Sequence, residues 1–455
     1  MKDDIRGNRL LDNRPKAPAS NRPAGGEEKS MVRICLPGRP SRPVDIPAAR
    51  LGEVVSLPPA KAAADPEGII GEALAHPIGT PCLERLVRAG QQIAVIIDDI
   101  TRATPTAVIL PMILKTLEGR GVPHENIAIV IALGTHRPMT PPEIDRKIGP
   151  AIAARYRIVN IPANESTGMV YMGRSSRGIP AWVNRVVAEA DVRIGIGMIA
   201  PHLDAGYSGG AKIILPGVGS QETVDSFHSQ MAAIETNPLG VEDAALRMDL
   251  ERFVDECVRL DFILNGVLDS GDNLVRCVAG DAVKAHRSGI RFAREVYGAS
   301  VRRRYPLVVA NAYPHHIDLW QSTKALAGAE LMTRTHGRLI LVADCPEGIG
   351  PHPRFADYIG MDLDELLHRF DRGDIADRCA AAEAVAVCRM KRRLRIGLVS
   401  SGLAPEEVRR MGFSHYPSVE AAVRDAPVAG KEGPIGLLTH GGVTLPLLPV
   451  GCPPG

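Results

Sequence analysis

Short apolar segments alternate with amphipathic stretches through most of this chain of 455 residues, and that alternation limits the folds it can adopt. Segments with the length and composition of buried strands occur at 93–97, 127–133, 157–161, 192–198, 307–310, 338–343, 396–400 and 435–438. The stretches between many of them place apolar residues at helical spacing. This pattern is typical of α/β proteins with mostly parallel sheets. At this length we expect more than one packed domain.

The sequence predicts two α/β domains preceded by a tail. The first thirty residues hold few apolar side chains, so we expect them to be disordered. A predicted helix at 281–297 and the three arginines at 302–304 mark a boundary near residue 300. The predicted parts are an N-terminal tail (1–30), an N-terminal α/β domain (31–300), a C-terminal α/β domain (301–433) and a last segment that could return to the N-terminal domain (434–455).

The charged residues nearly cancel, with 54 basic and 52 acidic side chains and a net charge of +2. Such a balance creates no field that would favour nucleic acid or a membrane, so we expect a small-molecule partner. The eight cysteines form no CxxC pair, which argues against a zinc site or a disulfide framework and favours the cytoplasm. No apolar run approaches the roughly 18–20 residues of a membrane span.

Polar clusters follow three of the predicted strands, at 98–102, 134–138 and 201–202. The carboxyl ends of parallel strands meet at one edge of a sheet, where α/β proteins bind their ligands. Asp99 and Arg102 offer a carboxylate and a guanidinium fork, and the fork suits a substrate carboxylate. A salt bridge that caps the following helix is the alternative for this pair.

Three histidines suggest catalytic chemistry. The imidazole of His136, in the second cluster, is suited to proton transfer near neutral pH. His202 begins the segment HLDAGYSGGAK, which ends at Lys212, and His228 follows sixteen residues later on a predicted helix. For each histidine alone, a surface or hydrogen-bonding role is the simpler alternative. Together with the lysine amine they have the composition of an active site.

The glycines of this segment predict a close approach of the backbone to a bound group. The spacing is not that of the phosphate loop of NTPases, because Ala211 and Ile213 stand where that loop requires glycine and Ser or Thr. The amides of Gly209 and Gly210 could still cradle an anion.

These motifs together resemble the nickel-pincer-nucleotide-dependent lactate racemase family. The motifs that carry the resemblance are DDITR at 98–102, GTHRP at 134–138, AGYSGGAK at 205–212, His228, and WQSTK at 320–324. In the last motif Gln321 and Lys324 lie one helical turn apart, which without the resemblance would equally describe a solvated helix face. The glycine-rich segment with its lysine and trailing histidine is the most specific part.

The resemblance implies a racemase or epimerase that inverts C2 of a 2-hydroxy acid by reversible hydride transfer to a nickel-pincer nucleotide (nickel pyridinium-3-thioamide-5-thiocarboxylic acid mononucleotide). It also implies separate proteins that build this cofactor, and an active site between two α/β domains. The implied roles are covalent attachment of the cofactor (Lys212), nickel ligation (His228), acid and base catalysis (His136, His202), cofactor contacts (Asp99, Thr101, Ser208, Gly209, Gly210) and substrate contacts (Arg102, Trp320, Gln321, Lys324).

The substrate and the reaction class leave alternatives open. Trp320 stands where the lactate enzymes of that family carry tyrosine, so the acid is either lactate-like or larger. A non-catalytic protein could instead bind an anionic nucleotide or sugar acid through the glycine-rich turn and Arg102. A zinc hydrolase could be built on His136, His202 and His228.

Overall fold

In a computed structural model, the structure describes residues 30–38, 41–425, 433–449 and 451–452. The predicted tail lies outside the described residues, apart from residue 30. Among the residues within these ranges, no helix is long and apolar enough to cross a membrane.

The strands are β1 (Met31–Leu36), β2 (Arg42–Pro47), β3 (Leu51–Val55), β4 (Ile93–Asp98), β5 (Ile127–Ala132), β6 (Arg157–Val159), β7 (Met169–Arg174), β8 (Pro180–Asn184), β9 (Val192–Met198), β10 (Pro201–His202), β11 (Gly206–Tyr207), β12 (Phe262–Leu268), β13 (Leu274–Gly280), β14 (Gly298–Ser300), β15 (Tyr305–Asn311), β16 (Thr333–Val342), β17 (Arg395–Val399), β18 (Ser414–Tyr416), β19 (Ile435–Leu438) and β20 (Leu445–Leu447).

The α-helices are α1 (Pro66–Ala75), α2 (Leu83–Leu86), α3 (Thr106–Gly119), α4 (Pro141–Ile148), α5 (Pro150–Arg155), α6 (Arg185–Glu189), α7 (Gln221–Ser229), α8 (Ala245–Phe253), α9 (Lys284–Tyr297), α10 (Leu319–Ser322), α11 (Lys324–Met332), α12 (Phe355–Gly360), α13 (Leu363–Arg372), α14 (Arg378–Arg393), α15 (Pro405–Arg410) and α16 (Val419–Arg424).

Two six-stranded sheets form the two halves of the fold. The first has the order β13-β12-β9-β4-β5-β6 and is parallel except for β13, which pairs antiparallel with β12. The second has the order β18-β17-β16-β15-β19-β3 and is parallel throughout. Every residue of β4 and of β15 is buried, as expected for strands covered on both faces. The predicted mixed α/β class with mostly parallel sheets is confirmed.

The first strands of the described chain pair and pack with the second sheet, although the first domain is predicted to begin at residue 31. Strand β3 pairs with β19 at the edge of the second sheet, and the β1–β2 hairpin buries Leu36, Val44 and Ile46 against Leu307 and Val309 of that sheet's core. The second domain therefore takes its first strands from the beginning of the described chain. The sequence does not reveal this, because β3 is short and mostly half-buried and has no continuous apolar run.

The last segment contributes to both halves. Strand β19 lies inside the second sheet between β15 and β3. Strand β20 pairs with β14, immediately after the long helix α9. The predicted bounds of β9 and β19 are confirmed at both ends. A capping box formed by Thr140 and Glu143 begins α4.

Candidate active site

A cleft between the two sheets gathers side chains from both halves of the fold. The loops after β4, β5 and β9 supply one wall, and the starts of α10, α11 and α14 supply the other. The predicted site residues that line this cleft, whose cavity volume is about 180 Å³, are Asp99, Arg102, His136, His202, Ser208, Gly209, Gly210, Lys212, His228, Trp320, Gln321 and Lys324. Thr101 lines an adjoining cavity instead.

His136 is oriented by a carboxylate. Its Nδ1 lies 2.7 Å from Oδ2 of Asp99, and Oδ1 of Asp99 accepts from the amide and the hydroxyl of Thr101 at 3.1 and 2.5 Å. Burial alone would raise the pKa of Asp99, but the hydrogen bonds and charge of its neighbours outweigh burial and lower it. An ionised Asp99 accepts the Nδ1 proton of His136, so Nε2 keeps its lone pair and is able to accept a proton.

His202 is a buried imidazole among cations. Burial lowers its pKa well below 6.5, and the charges of Lys212 and Lys324 lower it further, so the ring is neutral at pH 7. The amide of Asp204 donates to its Nδ1 at 3.1 Å, and Oδ2 of Asp204 lies 3.7 Å from the same nitrogen. The cleft therefore holds two imidazoles, each with a carboxylate close to its Nδ1.

Two buried lysines have weakened basicity. Burial lowers the pKa of Lys212 to about 8, although the charge of Asp204 opposes the shift. Burial and the charge of Arg102 lower the pKa of Lys324 to about 7, and its Nζ donates to Oε1 of Gln321 at 2.6 Å. A lysine with a pKa near 8 spends an appreciable fraction of its time as the neutral amine, which is the nucleophilic form.

Polar side chains hold the backbone of the glycine-rich segment in place. Gly209 and Gly210 have φ of 77° and 59°, and a Cβ on Gly209 would lie 2.8 Å from Oδ1 of Asn265. The amide of Gly210 donates to that same oxygen at 2.8 Å. Its N–H is thus already bonded within the protein, and the predicted anion cradle is wrong for this amide. The hydroxyl of Ser208 bonds to the backbone of Met198 and holds the loop in place.

His228 reaches the cleft from α7. Burial, together with the charge of Lys212, lowers its pKa to about 3, so the imidazole is neutral. Its Nδ1 lies 3.2 Å from Sγ of Cys379 on α14. Within the described ranges no group of three or more His, Cys, Asp or Glu side chains is arranged to hold a metal ion. The three histidines therefore do not form the site that the zinc hydrolase alternative requires.

Trp320 forms a rigid apolar part of the wall. Its ring packs on the imidazole of His352, with ring centroids 4.2 Å apart, and meets Phe355 edge-on at 4.9 Å. Nδ1 of His352 lies 2.7 Å from Oδ2 of Asp377, the residue that caps the N-terminus of α14. The indole packs against both of these rings, which restricts its rotation.

Comparison with known proteins identifies the family of the chain. Residues 38–239 match the family model of the lactate racemase N-terminal domain, and residues 306–444 match that of the C-terminal domain. The chain belongs to the lactate racemase family. Membership of the lactate racemase family places it among the isomerases.

Two curated relatives are both lactate racemases. The enzyme of Thermoanaerobacterium thermosaccharolyticum is 30% identical over 62% of this chain and 67% of its own length. That of Lactiplantibacillus plantarum is 31% identical over 62% of this chain and 66% of its own length. The chain thus matches about two thirds of each lactate racemase.

Solved structures show the same fold. The lactate racemase apoprotein of Thermoanaerobacterium thermosaccharolyticum superposes with a TM-score of 0.82 and 26% identity, over 92% of this chain and 100% of that one. A crystal structure of a Thermotoga maritima protein superposes with a TM-score of 0.65 at 19% identity, over 84% of this chain and 98% of that one. The second likeness concerns the fold alone.

Sequence reasoning missed an acidic pair in the site of this lactate racemase family member. Asp204 and Glu383 bond to each other across the cleft. Burial, and then the charge of Asp204, raise the pKa of Glu383 well above 4.5, which favours the protonated form of this carboxyl. Asp204 stands two residues after His202 and could have been noticed there. Glu383 and Cys379 lie on α14 in a segment without a motif.

Proposed function

We propose that the chain is a racemase or epimerase that inverts C2 of a 2-hydroxy acid, with a nickel-pincer nucleotide attached to Lys212. One observation carries the proposal: a buried lysine with weakened basicity shares one cleft with two imidazoles that have carboxylates near their Nδ1 atoms. That combination serves both the anchoring of a cofactor and the transfer of protons on two sides of a substrate.

The residues present fit such a cofactor. The amine of Lys212 is buried and partly neutral near pH 8, as the attack on an activated carbonyl requires. An Nδ1 proton on His228, donated to Cys379, would leave the Nε2 lone pair free for nickel. When bound, the cofactor supplies a site that accepts a hydride from C2 and returns it. The family resemblance also implies dedicated proteins that build the cofactor.

The side chains of the cleft bind the substrate carboxylate and transfer the hydroxyl proton. Arg102 and Lys324 line the cleft and pin the carboxylate, whose negative charge favours the protonated form of Lys324. This keeps C2 in place while its other substituents exchange. His136 takes the hydroxyl proton of one enantiomer, because Asp99 fixes its Nδ1 proton and leaves Nε2 basic. His202 serves the other enantiomer: its Nδ1 accepts from the amide of Asp204, so the neutral ring carries its proton on Nε2 and is able to donate it to the oxygen at C2. Two acid–base groups are needed because the hydroxyl points in opposite directions in the two enantiomers.

We propose that the protein works in a reducing compartment. All eight cysteines are unpaired, as is usual for proteins of the cytoplasm. We assign the protein to that compartment, with a small 2-hydroxy acid as its ligand and no role for nucleic acid or a membrane.

Covalent loading of Lys212 tests the proposal directly. The protein is co-produced with the cofactor-building proteins, and its intact mass and nickel content are measured. We expect a nucleotide adduct on the wild type and none on Lys212→Ala, because no other residue is proposed to anchor the cofactor.

Lys324→Ala is the matched control, because it removes an equally buried lysine from the same cleft. It should keep the adduct while it weakens substrate binding. An unchanged adduct mass in Lys212→Ala would refute the assignment. Ligand binding without any adduct on the wild type would favour the non-catalytic binding protein.

A further inference from the structure

A second cavity adjoins the catalytic cleft. It has a volume of about 360 Å³, and Arg102, His202 and Lys324 line both cavities. We name it the side chamber, and its apolar lining includes Met198, Ala200, Leu203, Leu239, Leu268 and Val443. The two cavities meet at the side chains that are proposed to hold the substrate carboxylate and to exchange its hydroxyl proton.

Asp272 and His315 also line the side chamber. Its three hydroxyl-bearing side chains are bonded within the protein. The hydroxyl of Thr101 donates to Asp99, that of Ser208 donates to the backbone of Met198, and the phenol of Tyr297 bonds to the backbone of Leu268. A ligand with many hydroxyl groups would lose hydrogen bonds to water here without full replacement, which is unfavourable. The lining favours an apolar ligand group.

Stereochemistry requires room beside each imidazole. When the two enantiomers of a 2-hydroxy acid are superposed at the carboxylate and the C2 hydrogen, the hydroxyl and the C3 substituent exchange places. If the hydroxyl lies at His136 in one enantiomer and at His202 in the other, the substituent must lie beside each histidine in turn. The side chamber provides that room next to His202, and the fixed indole of Trp320 provides an apolar wall in the cleft that holds His136.

From this arrangement we propose that the side chamber receives the C3 substituent of the substrate, and that the substrate is a 2-hydroxy acid with a bulky apolar substituent. This inference rests on the proposed racemase function. The cavity volume of the chamber is about 360 Å³, whereas by the same measure a water-sized group such as a methyl needs only about 10–15 Å³. Lactate would leave most of the chamber without contacts.

A substrate series tests the inference. The cofactor-loaded protein is assayed for racemisation of lactate, 2-hydroxybutanoate, 2-hydroxy-4-methylpentanoate and 3-phenyllactate, with gluconate as a polyhydroxy acid. We expect kcat/KM to be at least tenfold higher for 2-hydroxy-4-methylpentanoate than for lactate, because apolar burial strengthens with each added carbon. A kcat/KM that is highest for lactate or for gluconate overturns the inference and leaves the racemase proposal intact. No racemisation of any acid by protein that carries both adduct and nickel overturns both proposals.

A variant that fills the side chamber tests whether the preference for a bulky substituent arises there. Val443 is half-buried and lines only the side chamber, so Val443→Trp should lower kcat/KM at least tenfold for 2-hydroxy-4-methylpentanoate and less than threefold for lactate. The control is Val241→Trp, the same change at a residue that is 44% exposed and does not line the chamber. It should leave both values unchanged. An equal loss on both acids with Val443→Trp contradicts the assignment of the chamber.

Discussion

At the scale of single residues, the site depends on burial more than on unusual residue types. Lys212, Lys324 and His202 are ordinary basic side chains whose pKa values fall because they are removed from water. Asp99 shows the opposite balance, because its hydrogen bonds overcome burial and keep it ionised. A neutral imidazole, two lysines of weakened basicity and an ionised carboxylate therefore coexist within one cleft.

Substitution should distinguish the two proposed acid–base histidines from the proposed metal ligand. His136→Ala and His202→Ala are each expected to lower kcat by about 10²–10⁴-fold, the usual contribution of a positioned acid or base. Both variants should retain adduct and nickel, whereas His228→Ala should retain the adduct and lose nickel. Kinetic and metal measurements on the three purified variants check this division. Nickel loss from His136→Ala would show that the roles are assigned wrongly.

At the scale of elements, α14 is the part of the second domain that completes the site. It brings Cys379 to His228 and Glu383 to Asp204, and its N-terminus is capped by Asp377, which also holds His352. One helix therefore connects the proposed nickel ligand, the acidic pair and the support of Trp320. Any movement of α14 would change the contacts at all three.

The acidic pair makes stability depend on pH. The pKa of Glu383 is raised in the folded state, above the unfolded value of about 4.3. Its contribution to stability is therefore complete below about pH 4.3 and is lost as pH rises through the folded pKa. In Glu383→Gln this loss should disappear, so the free energy of unfolding should fall less with rising pH than in the wild type.

Urea denaturation at a series of pH values from 4.5 to 9 measures that slope. Glu365→Gln on α13 is the control, because Glu365 is about half exposed and should leave the slope unchanged. Equal slopes in the wild type and Glu383→Gln would show that Glu383 is not the titrating group.

The sequence predicted what local pattern can encode. Strands such as β4, β9 and β19 are continuous apolar runs and were located within one residue. The residues in motifs at strand ends were found for the same reason, and they do meet in one cleft. Strand β3 has no such run, and Glu383 reaches the site through contacts distant in sequence, so neither could be recognised from local spacing.

At the scale of the whole molecule, the second domain is built from both ends of the described chain. Strand β3 supplies one edge of its sheet, the β1–β2 hairpin covers one of its faces, and Glu53 of β3 accepts a hydrogen bond from Tyr305 of β15 at 2.8 Å. The cleft needs this sheet as a rigid support for α10, α11 and α14.

Removal of the first strands should therefore weaken the second domain selectively. A chain that begins at residue 57 lacks β1, β2 and β3, and its second sheet loses both an edge strand and the apolar cover from Leu36, Val44 and Ile46. We expect lower thermal stability and earlier proteolytic cleavage between residues 305 and 425. A chain that begins at residue 30 keeps every described strand and is the control. Equal melting of the two chains would contradict the structural role of β3.

The late position of β19 in the chain also sets the order in which the two halves of the fold are able to form during translation. The strands of the first sheet all lie between Ile93 and Gly280, so that half is able to fold while the ribosome is still adding later residues. Val55 at the end of β3 bonds to Thr439, 384 residues later. Until that late stretch leaves the ribosome, β3 has no neighbour on its pairing edge, and a nascent chain must keep this edge from joining other strands.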